Sequence, residues 1–403
     1  MTTLREIAEQ LRDSDKKVQL IYAFNGVGKT RLSREFKELV EVVPTEEESE
    51  DDFEYSELSH KNILYYSAYT EDLFYWDNDL DGDEERKLNI HPNAFTHWVF
   101  VDQGKEQTII GHFQRYTNDK LTPHFNEEYL KDQNDPDSKV KAFSEVKFSF
   151  EKGDDEPSEN IKISKAEESN LIWCIFYSLF EEIISVLNTP EADDRETDSF
   201  NNLKYVFIDD PVTSLDENHL IELAVDLAEL IKSSESKLKF IITTHNPLFY
   251  NVLTNEFNNA NKNSGYKRKH YEKYRLEKKE DGSFELISQL NDSPFSYHLY
   301  IIQELKKASD EDKIKKYHFN LLRNLLEKLS TFLGYNQWKE LLEPIEGDSE
   351  AYYNRIVNLY SHSKHSAEEV TELTENDKRV FKFLVEQITT IYNFKKYEVR
   401  DEL

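Results

Sequence analysis

The stretch Ala23-Phe24-Asn25-Gly26-Val27-Gly28-Lys29-Thr30 ends an apolar run that begins at Lys17, and it opens the helical pattern Thr30-Arg31-Leu32-Ser33-Arg34-Glu35-Phe36. Strand, glycine turn and helix in that order make a phosphate-binding loop. Glycines let main-chain N–H groups converge on an anion, and the helix N-terminus adds its dipole. On this reading Asn25, Gly26 and Gly28 line the loop. Lys29 neutralises the β and γ oxygens of a nucleoside triphosphate, and the Thr30 hydroxyl ligates Mg²⁺. Ala23 stands where the first glycine is usual, which a negative φ there would permit.

Further along the chain, the apolar run Tyr205-Val206-Phe207-Ile208 leads into Asp209, Asp210 and Pro211. Asp209 is expected to hold Mg²⁺ through water, and Asp210 to polarise the attacking water. Ser214-Leu215-Asp216 follows, with Asp216 expected to face its mate across a dimer. His245 ends the strand pattern Phe240-Ile241-Ile242-Thr243-Thr244 and is expected to contact the γ-phosphate. Ile163-Ser164-Lys165-Ala166-Glu167-Glu168-Ser169 opens a helix, with Ser164 and Glu167 placed for a capping box and for reaching a partner's nucleotide. The ordered set resembles the ABC-type ATPases, which sandwich two nucleotides between two subunits. That resemblance implies ATP and/or GTP with Mg²⁺, and a homodimer or higher homo-oligomer. Aspartate at 210 replaces the usual glutamate, which bears on hydrolysis rate. Ala166 replaces a glycine, which bears on how tightly the sandwich closes.

The chain has 403 residues, 38% hydrophobic and 13% aromatic, enough for two domains with sizeable cores. The expected architecture is α/β: an ABC-type P-loop NTPase head over residues 1–263, then a mainly α-helical domain over 264–403. Acidic insertions are expected near 44–58 and 188–200. Ile63-Leu64-Tyr65-Tyr66 and Val146-Lys147-Phe148-Ser149-Phe150 read as strands, and 265–290 as a hairpin around Asp281-Gly282. No heptads run between Thr30 and Ser164, so the coiled-coil arms of chromosome-maintenance ATPases are not expected. The single cysteine, Cys174, excludes an internal disulfide and reads as a buried hydrophobe. No basic-flanked apolar leader or long apolar run is visible, so a cytoplasmic chain with no membrane contact is expected. The terminal Arg400-Asp401-Glu402-Leu403 is read as a coincidental likeness to a retention tag.

Charge complicates a nucleic-acid role. The formal net charge is −30, from 50 Lys+Arg against 80 Asp+Glu. Residues 264–403 contain 23 basic and 25 acidic residues, so the excess acid belongs to the first 263. Lys267-Arg268-Lys269, with Lys273, Arg275, Lys278 and Lys279, is a basic cluster suited to a polyanion or to a solvated face.

Between Tyr317 and Leu333 the apolar positions share one helical arc, and Arg323 and Glu327 lie four apart at its edge. Asn358-Leu359-Tyr360-Ser361-His362-Ser363-Lys364-His365 brings histidines into a polar segment; His365 is read as a surface residue. Arginine, glutamate and histidine suffice for metal-independent RNA cleavage, although an i, i+4 pair alone is commonly a surface ion pair.

Lys17-Val18-Gln19-Leu20-Ile21-Tyr22-Ala23-Phe24-Asn25-Gly26, Thr70-Glu71-Asp72-Leu73-Phe74-Tyr75-Trp76-Asp77-Asn78-Asp79, the Asp209 to Asp216 segment and Leu321-Leu322-Arg323 resemble the bacterial PrrC-type anticodon nucleases over nearly the whole length. The resemblance implies an NTP-regulated RNase that cuts the tRNA anticodon stem-loop 5′ of the wobble base, with lysine tRNA as the expected substrate. It places Arg323, Glu327 and His362 in the catalytic triad and Asp292 near the wobble base. It also implies 2′,3′-cyclic phosphate and 5′-OH ends, a type I restriction–modification complex as silencing partner, and a role in antiphage defence. The alternative is an SMC-like ATPase acting on DNA as a clamp, or as the sensor of a separate effector chain.

Overall fold

The computed structural model describes residues 2–41, 62–67, 74–77, 86–91, 96, 98–132, 134–135, 138–152, 155–211, 217–279, 281–289, 297–361 and 373–394. The chain divides into two compact units, Met1–Pro294 and Phe295–Leu403.

The first unit begins with helix α1 (Leu4–Asp13), strand β1 (Val18–Tyr22), helix α2 (Lys29–Val40) and strand β2 (Ile63–Tyr66). An antiparallel layer follows: β3 (Phe74–Asp77), β4 (Lys87–Ile90), helix α3 (Glu106–Tyr116), β5 (Leu121–Phe125), the short pair β6 (Tyr129–Leu130) and β7 (Lys139–Val140), then β8 (Glu145–Lys152) and β9 (Asp155–Ser158). Helix α4 (Lys165–Leu187) leads to β10 (Tyr205–Asp209), α5 (Glu217–Ser233), β11 (Lys239–Thr244), α6 (Pro247–Asn258), β12 (Tyr271–Lys278) and β13 (Phe284–Ser288).

The principal sheet has the order β13-β12-β1-β11-β10-β2, with every pairing parallel except that of β12 with β13. Its central strands are buried on both faces, as parallel strands under helices must be. All five residues of β1 are buried. One face packs Ile21, Phe207, Ile241 and Leu276 against Leu4, Ile7, Leu11, Leu32 and Phe36 of α1 and α2. On the other face Phe240 meets Phe180 of α4, and Tyr22 meets Tyr250 of α6.

Helix α4 corrects one expectation. By length and composition it could cross a membrane, yet most of it is buried inside the unit. Glu168, Asn170, Ser178, Glu181 and Glu182 interrupt its apolar residues, which hides the run from inspection. Cys174 lies fully buried on this helix, and desolvation pushes its thiol pKa upward.

The antiparallel layer is ordered β3-β4-β8-β5, with β9 beside β8. It meets the start of α4 through a polar contact: the Trp76 indole donates to buried Glu168 at 2.8 Å.

The unit boundary also departs from the expected 264. Strand β12 pairs with β1, Val18 opposite Tyr271 through Tyr22 opposite Arg275, so residues 271–288 complete the head sheet. The segment 188–200 is a structured surface loop with a 3₁₀ turn at Ala192–Asp194, pinned by the Arg195 guanidinium to the Thr189 carbonyl at 2.9 Å and to Asn201 at 2.6 Å. The acidic stretch near 44–58 lies outside the described residues.

The second unit is helical: α7 (Tyr297–Asp310), α8 (Lys316–Leu333), α9 (Ser349–Ser361) and α10 (Glu375–Ile391), with a 3₁₀ turn at Trp338–Leu342. Phe319, Leu322, Leu326 and Leu329 of α8 pack with Ile301 and Leu305 of α7 and with Phe381, Leu384 and Ile388 of α10. Gly334, at φ +80°, ends α8 in the left-handed conformation that favours glycine.

Phe207 is fully buried between Phe36 and Tyr65 at centroid distances of 5.5 and 6.1 Å. Phe207→Ala should destabilise the first unit by about 3–5 kcal/mol, measured by urea denaturation followed by far-UV circular dichroism.

Candidate active site

Parallel pairing brings three strand ends to one edge of the head sheet. The register sets Tyr22 opposite Thr244 and Asp209 opposite Thr243, so the segments after β1, β10 and β11 emerge side by side. Ligands of open α/β sheets bind at this carboxyl edge.

The loop between β1 and α2 uses its glycines for backbone geometry. Gly26 has φ +80° and Gly28 φ +123°, both outside the range that other residues adopt readily. At Gly28 an added Cβ would also come within 3.4 Å of Phe284 and 3.5 Å of Leu4. Lys29 is buried, and its ammonium donates to the Ala23 carbonyl at 3.3 Å and to Asn25 Oδ1 at 3.1 Å. The same ammonium lies 3.5 Å from Asp210 Oδ2.

Asp209 is 2% exposed and accepts a 2.5 Å hydrogen bond from the Thr243 hydroxyl. Burial raises its pKa above the ordinary carboxylate value, and neighbouring Asp210 adds to that; hydrogen bonds from Thr243 and Thr30 and the Lys29 charge act the other way. Asp210 has φ +55°, a left-handed conformation that aspartate tolerates better than most residues. That bend turns its carboxylate toward His245, whose Nδ1 is 2.6 Å from Oδ2. The His245 main-chain N–H and the Thr244 hydroxyl donate to Oδ1 at 3.3 and 3.4 Å. Asn246 caps α6 by accepting from the Leu248 and Phe249 N–H groups.

Lys29, Thr30, Asp209, Asp210 and His245 therefore gather at one place. Thr243 and Thr244 join the site unforeseen, and the sequence signal for them is two hydroxyl residues ending an apolar run directly before His245. A carboxyl-edge site with a lysine ammonium beside two largely buried carboxylates suits a triphosphate with its counter-ion. Magnesium takes hard oxygen donors, and the Asp209 carboxylate with the neighbouring Thr30 hydroxyl fits that need.

Ser164 caps α4 as expected: its hydroxyl accepts from the Glu167 N–H at 3.2 Å, and Glu167 Oε2 accepts from the Ser164 N–H at 2.6 Å. The cap is exposed at the head of a 23-residue helix. One turn on, buried Glu168 accepts from Trp76 and pairs with Lys165 at 2.7 Å, tying the helix start to the antiparallel layer. Nothing in the sequence around Trp76 points to this partner.

In the second unit, Arg323 Nε donates to Glu327 Oε1 at 2.7 Å on the edge of α8, with the two side chains 30% and 44% exposed. Their i, i+4 spacing makes the contact, as the sequence implied. Asp216, Asp292 and His362 lie outside the described residues.

A parallel sheet that delivers a glycine turn, paired aspartates and a histidine to one edge defines the class: a P-loop ATPase head of the ABC type. A family profile described as "AAA domain" matches residues 180–391. An anticodon nuclease from Escherichia coli is 50% identical over 420 residues, covering 99% of each chain. The chain belongs to the anticodon nuclease family, and it binds nucleotide through its ATPase domain. Among solved structures, the Smc head bound to the C-winged helix domain of ScpA is 11% identical with a TM-score of 0.33, covering 68% of this chain and 90% of that one. The Pyrococcus furiosus Smc head with an extended coiled coil, bound to the C-terminal domain of ScpA, is 11% identical with a TM-score of 0.28, covering 53% of this chain and 40% of that one.

Thr243→Val removes the hydroxyl that satisfies buried Asp209 and leaves its shape nearly unchanged. It should cost about 1–3 kcal/mol in thermal or urea unfolding. The loss should shrink at pH values low enough to protonate Asp209, because the neutral acid no longer needs that donor.

Proposed function

We propose that this chain is an NTP-regulated endoribonuclease that cuts the tRNA anticodon loop 5′ of the wobble base, with lysine tRNA as its substrate. The observation that carries this reading is the Arg323–Glu327 pair, 2.7 Å apart on one helix, within a chain half identical to an anticodon nuclease from end to end.

In the head, Asn25, Gly26, Gly28 and Lys29 hold the triphosphate. Thr30 and Asp209 hold Mg²⁺, which when bound neutralises phosphate charge. Asp210 orients the attacking water and His245 contacts the γ-phosphate. Asp210 bonds His245 while lying close to Lys29, so an arriving γ-phosphate competes with Asp210 for the ammonium and frees the carboxylate to take up water. Ser164 and Glu167 on the α4 cap face the nucleotide of a second copy, and Asp216 faces its mate, so hydrolysis belongs to a homodimer or larger assembly. ATP and GTP are both candidate fuels.

In the helical unit, numbered 264–403 by sequence and beginning at Phe295 by compactness, His362 takes the proton from the ribose 2′-OH as the 2′-oxygen attacks phosphorus. The P–O5′ bond breaks, the 5′-oxygen receives a proton from Glu327 as the acid partner of His362, and the products end in 2′,3′-cyclic phosphate and 5′-OH. Arg323 offsets charge on the phosphorane, and Glu327, bound to its Nε–H, fixes the plane of the guanidinium. Asp292 contacts the wobble base. Nucleotide turnover in paired heads opens or assembles this site, and a type I restriction–modification complex holds it silent until phage attack. The setting is antiphage defence in the cytoplasm.

Purified protein incubated with total tRNA and ATP or GTP should yield one dominant cut, in lysine tRNA, with cyclic phosphate ends. His362→Ala and Arg323→Ala should each lower the cleavage rate by about 10²–10⁴-fold, the range for removing an acid–base or charge-stabilising group. Cleavage by His362→Ala at the wild-type rate would end the assignment of the base; equal cutting of all tRNAs would end that of lysine.

A further inference from the structure

An RNA substrate is a polyanion, and this chain carries a formal net charge of −30. Retaining RNA then requires positive charge to be concentrated somewhere. The basic cluster noted in the sequence splits in the structure. Lys273 is buried within β12, Arg275 pairs with Glu277 at 2.7 Å, and Lys279 pairs with Glu285 at 3.0 Å. Lys267, Arg268 and Lys269 are exposed, on the segment entering β12.

Beside that segment lies a cavity of about 440 Å³ whose lining includes Lys17, Lys237, Lys239 and His270. Lys17 immediately precedes β1, Lys239 opens β11 and His270 immediately precedes β12, so the cavity sits at the amino-terminal edge of the head sheet. Strands of five residues separate the two edges by roughly 15 Å, so this is not the nucleotide site.

The cavity's lysines are held mainly by main-chain carbonyls, with burial lowering the Lys17 pKa to about 8 and Glu235 partly offsetting that. Lys17 donates to the Ser234 and Ser236 carbonyls at 2.5 and 3.0 Å, and Lys239 to those of Arg12 and Ser14 at 3.2 and 2.7 Å. An ammonium has three donors, so two carbonyl bonds position each lysine and leave one N–H for an anion. Asp15 and Glu235 also line the cavity, two carboxylates against three lysines. The run Lys267-Arg268-Lys269 adds three positive charges and no negative one. The field registers on His270, whose imidazole pKa is lowered by burial and then by Lys269, Lys17, Lys267 and Lys16.

We propose that this cavity, with Lys17, Lys237 and Lys239 inside it and Lys267, Arg268 and Lys269 beyond, is a phosphate-binding site for the backbone of the RNA substrate. The inference rests on the tRNA-cleaving reading for the identity of its ligand. RNA rather than a small anion fits because the positive surface continues past the cavity, farther than one phosphate group reaches.

The test uses the full chain with Lys267→Glu combined with Lys269→Glu, and separately Lys237→Glu, all at exposed positions, with the Lys→Gln versions as milder partners. Binding of fluorescently labelled lysine tRNA is measured by anisotropy across a salt series, with ATP hydrolysis in the absence of RNA as the folding control. The double reversal should weaken binding at least tenfold and flatten the log–log salt slope by about one per lost phosphate contact, leaving ATP hydrolysis unchanged. Unchanged affinity and slope would overturn the site. Because binding is read directly, a wild-type chain that binds tRNA but fails to cut it, while the reversals lose binding, refutes the nuclease reading and keeps the site. If tripolyphosphate protects Lys267 and Lys269 from amine acylation and tRNA does not, the ligand is a small anion and the assignment to RNA falls.

Discussion

The nucleotide edge depends on the register of β10 against β11. With Asp209 opposite Thr243, a buried carboxylate meets a hydroxyl, and just past the two strand ends Asp210 meets His245. A slip of one residue would turn Asp209 to the opposite face and strand its charge without a donor. The apolar faces resist such a slip, since Phe207 and Ile241 would leave the core they share with Phe36. Packing in the sheet interior thereby holds polar groups in place at its rim.

Much of this was legible along the chain because the physics is local. Tyr205 to Ile208 is an uninterrupted apolar run ending in acid, which is how a buried strand reaching a carboxyl edge reads. The Ser164 cap needed only Glu167 three residues on, and the Arg323–Glu327 contact only helical spacing. Strand β12 was harder. Five of its eight residues from Tyr271 to Lys278 are charged, an unusual composition for a strand inside a sheet, and only its pairing with β1 assigns it to the head. The tie between Trp76 and Glu168 spans 92 residues, so no local pattern could reveal it. Thr243 and Thr244 looked like ordinary strand residues until their neighbours across the sheet were known.

Charge is organised by edge and not only by total. Lys29 is the cation that approaches the paired aspartates at the carboxyl edge, while lysines held by main-chain oxygens gather at the other. Opposite ends of the same strands therefore present different electrostatic surfaces, although the chain as a whole is strongly acidic.

The lone thiol has a practical consequence. Cys174 lies sealed inside α4, with its ionisation suppressed by burial, so alkylating reagents meet a chemically silent background. A cysteine introduced at an exposed position on each compact unit would be labelled selectively. A spectroscopic ruler could then follow the spacing of head and helical unit through a nucleotide cycle without first stripping the native protein of anything.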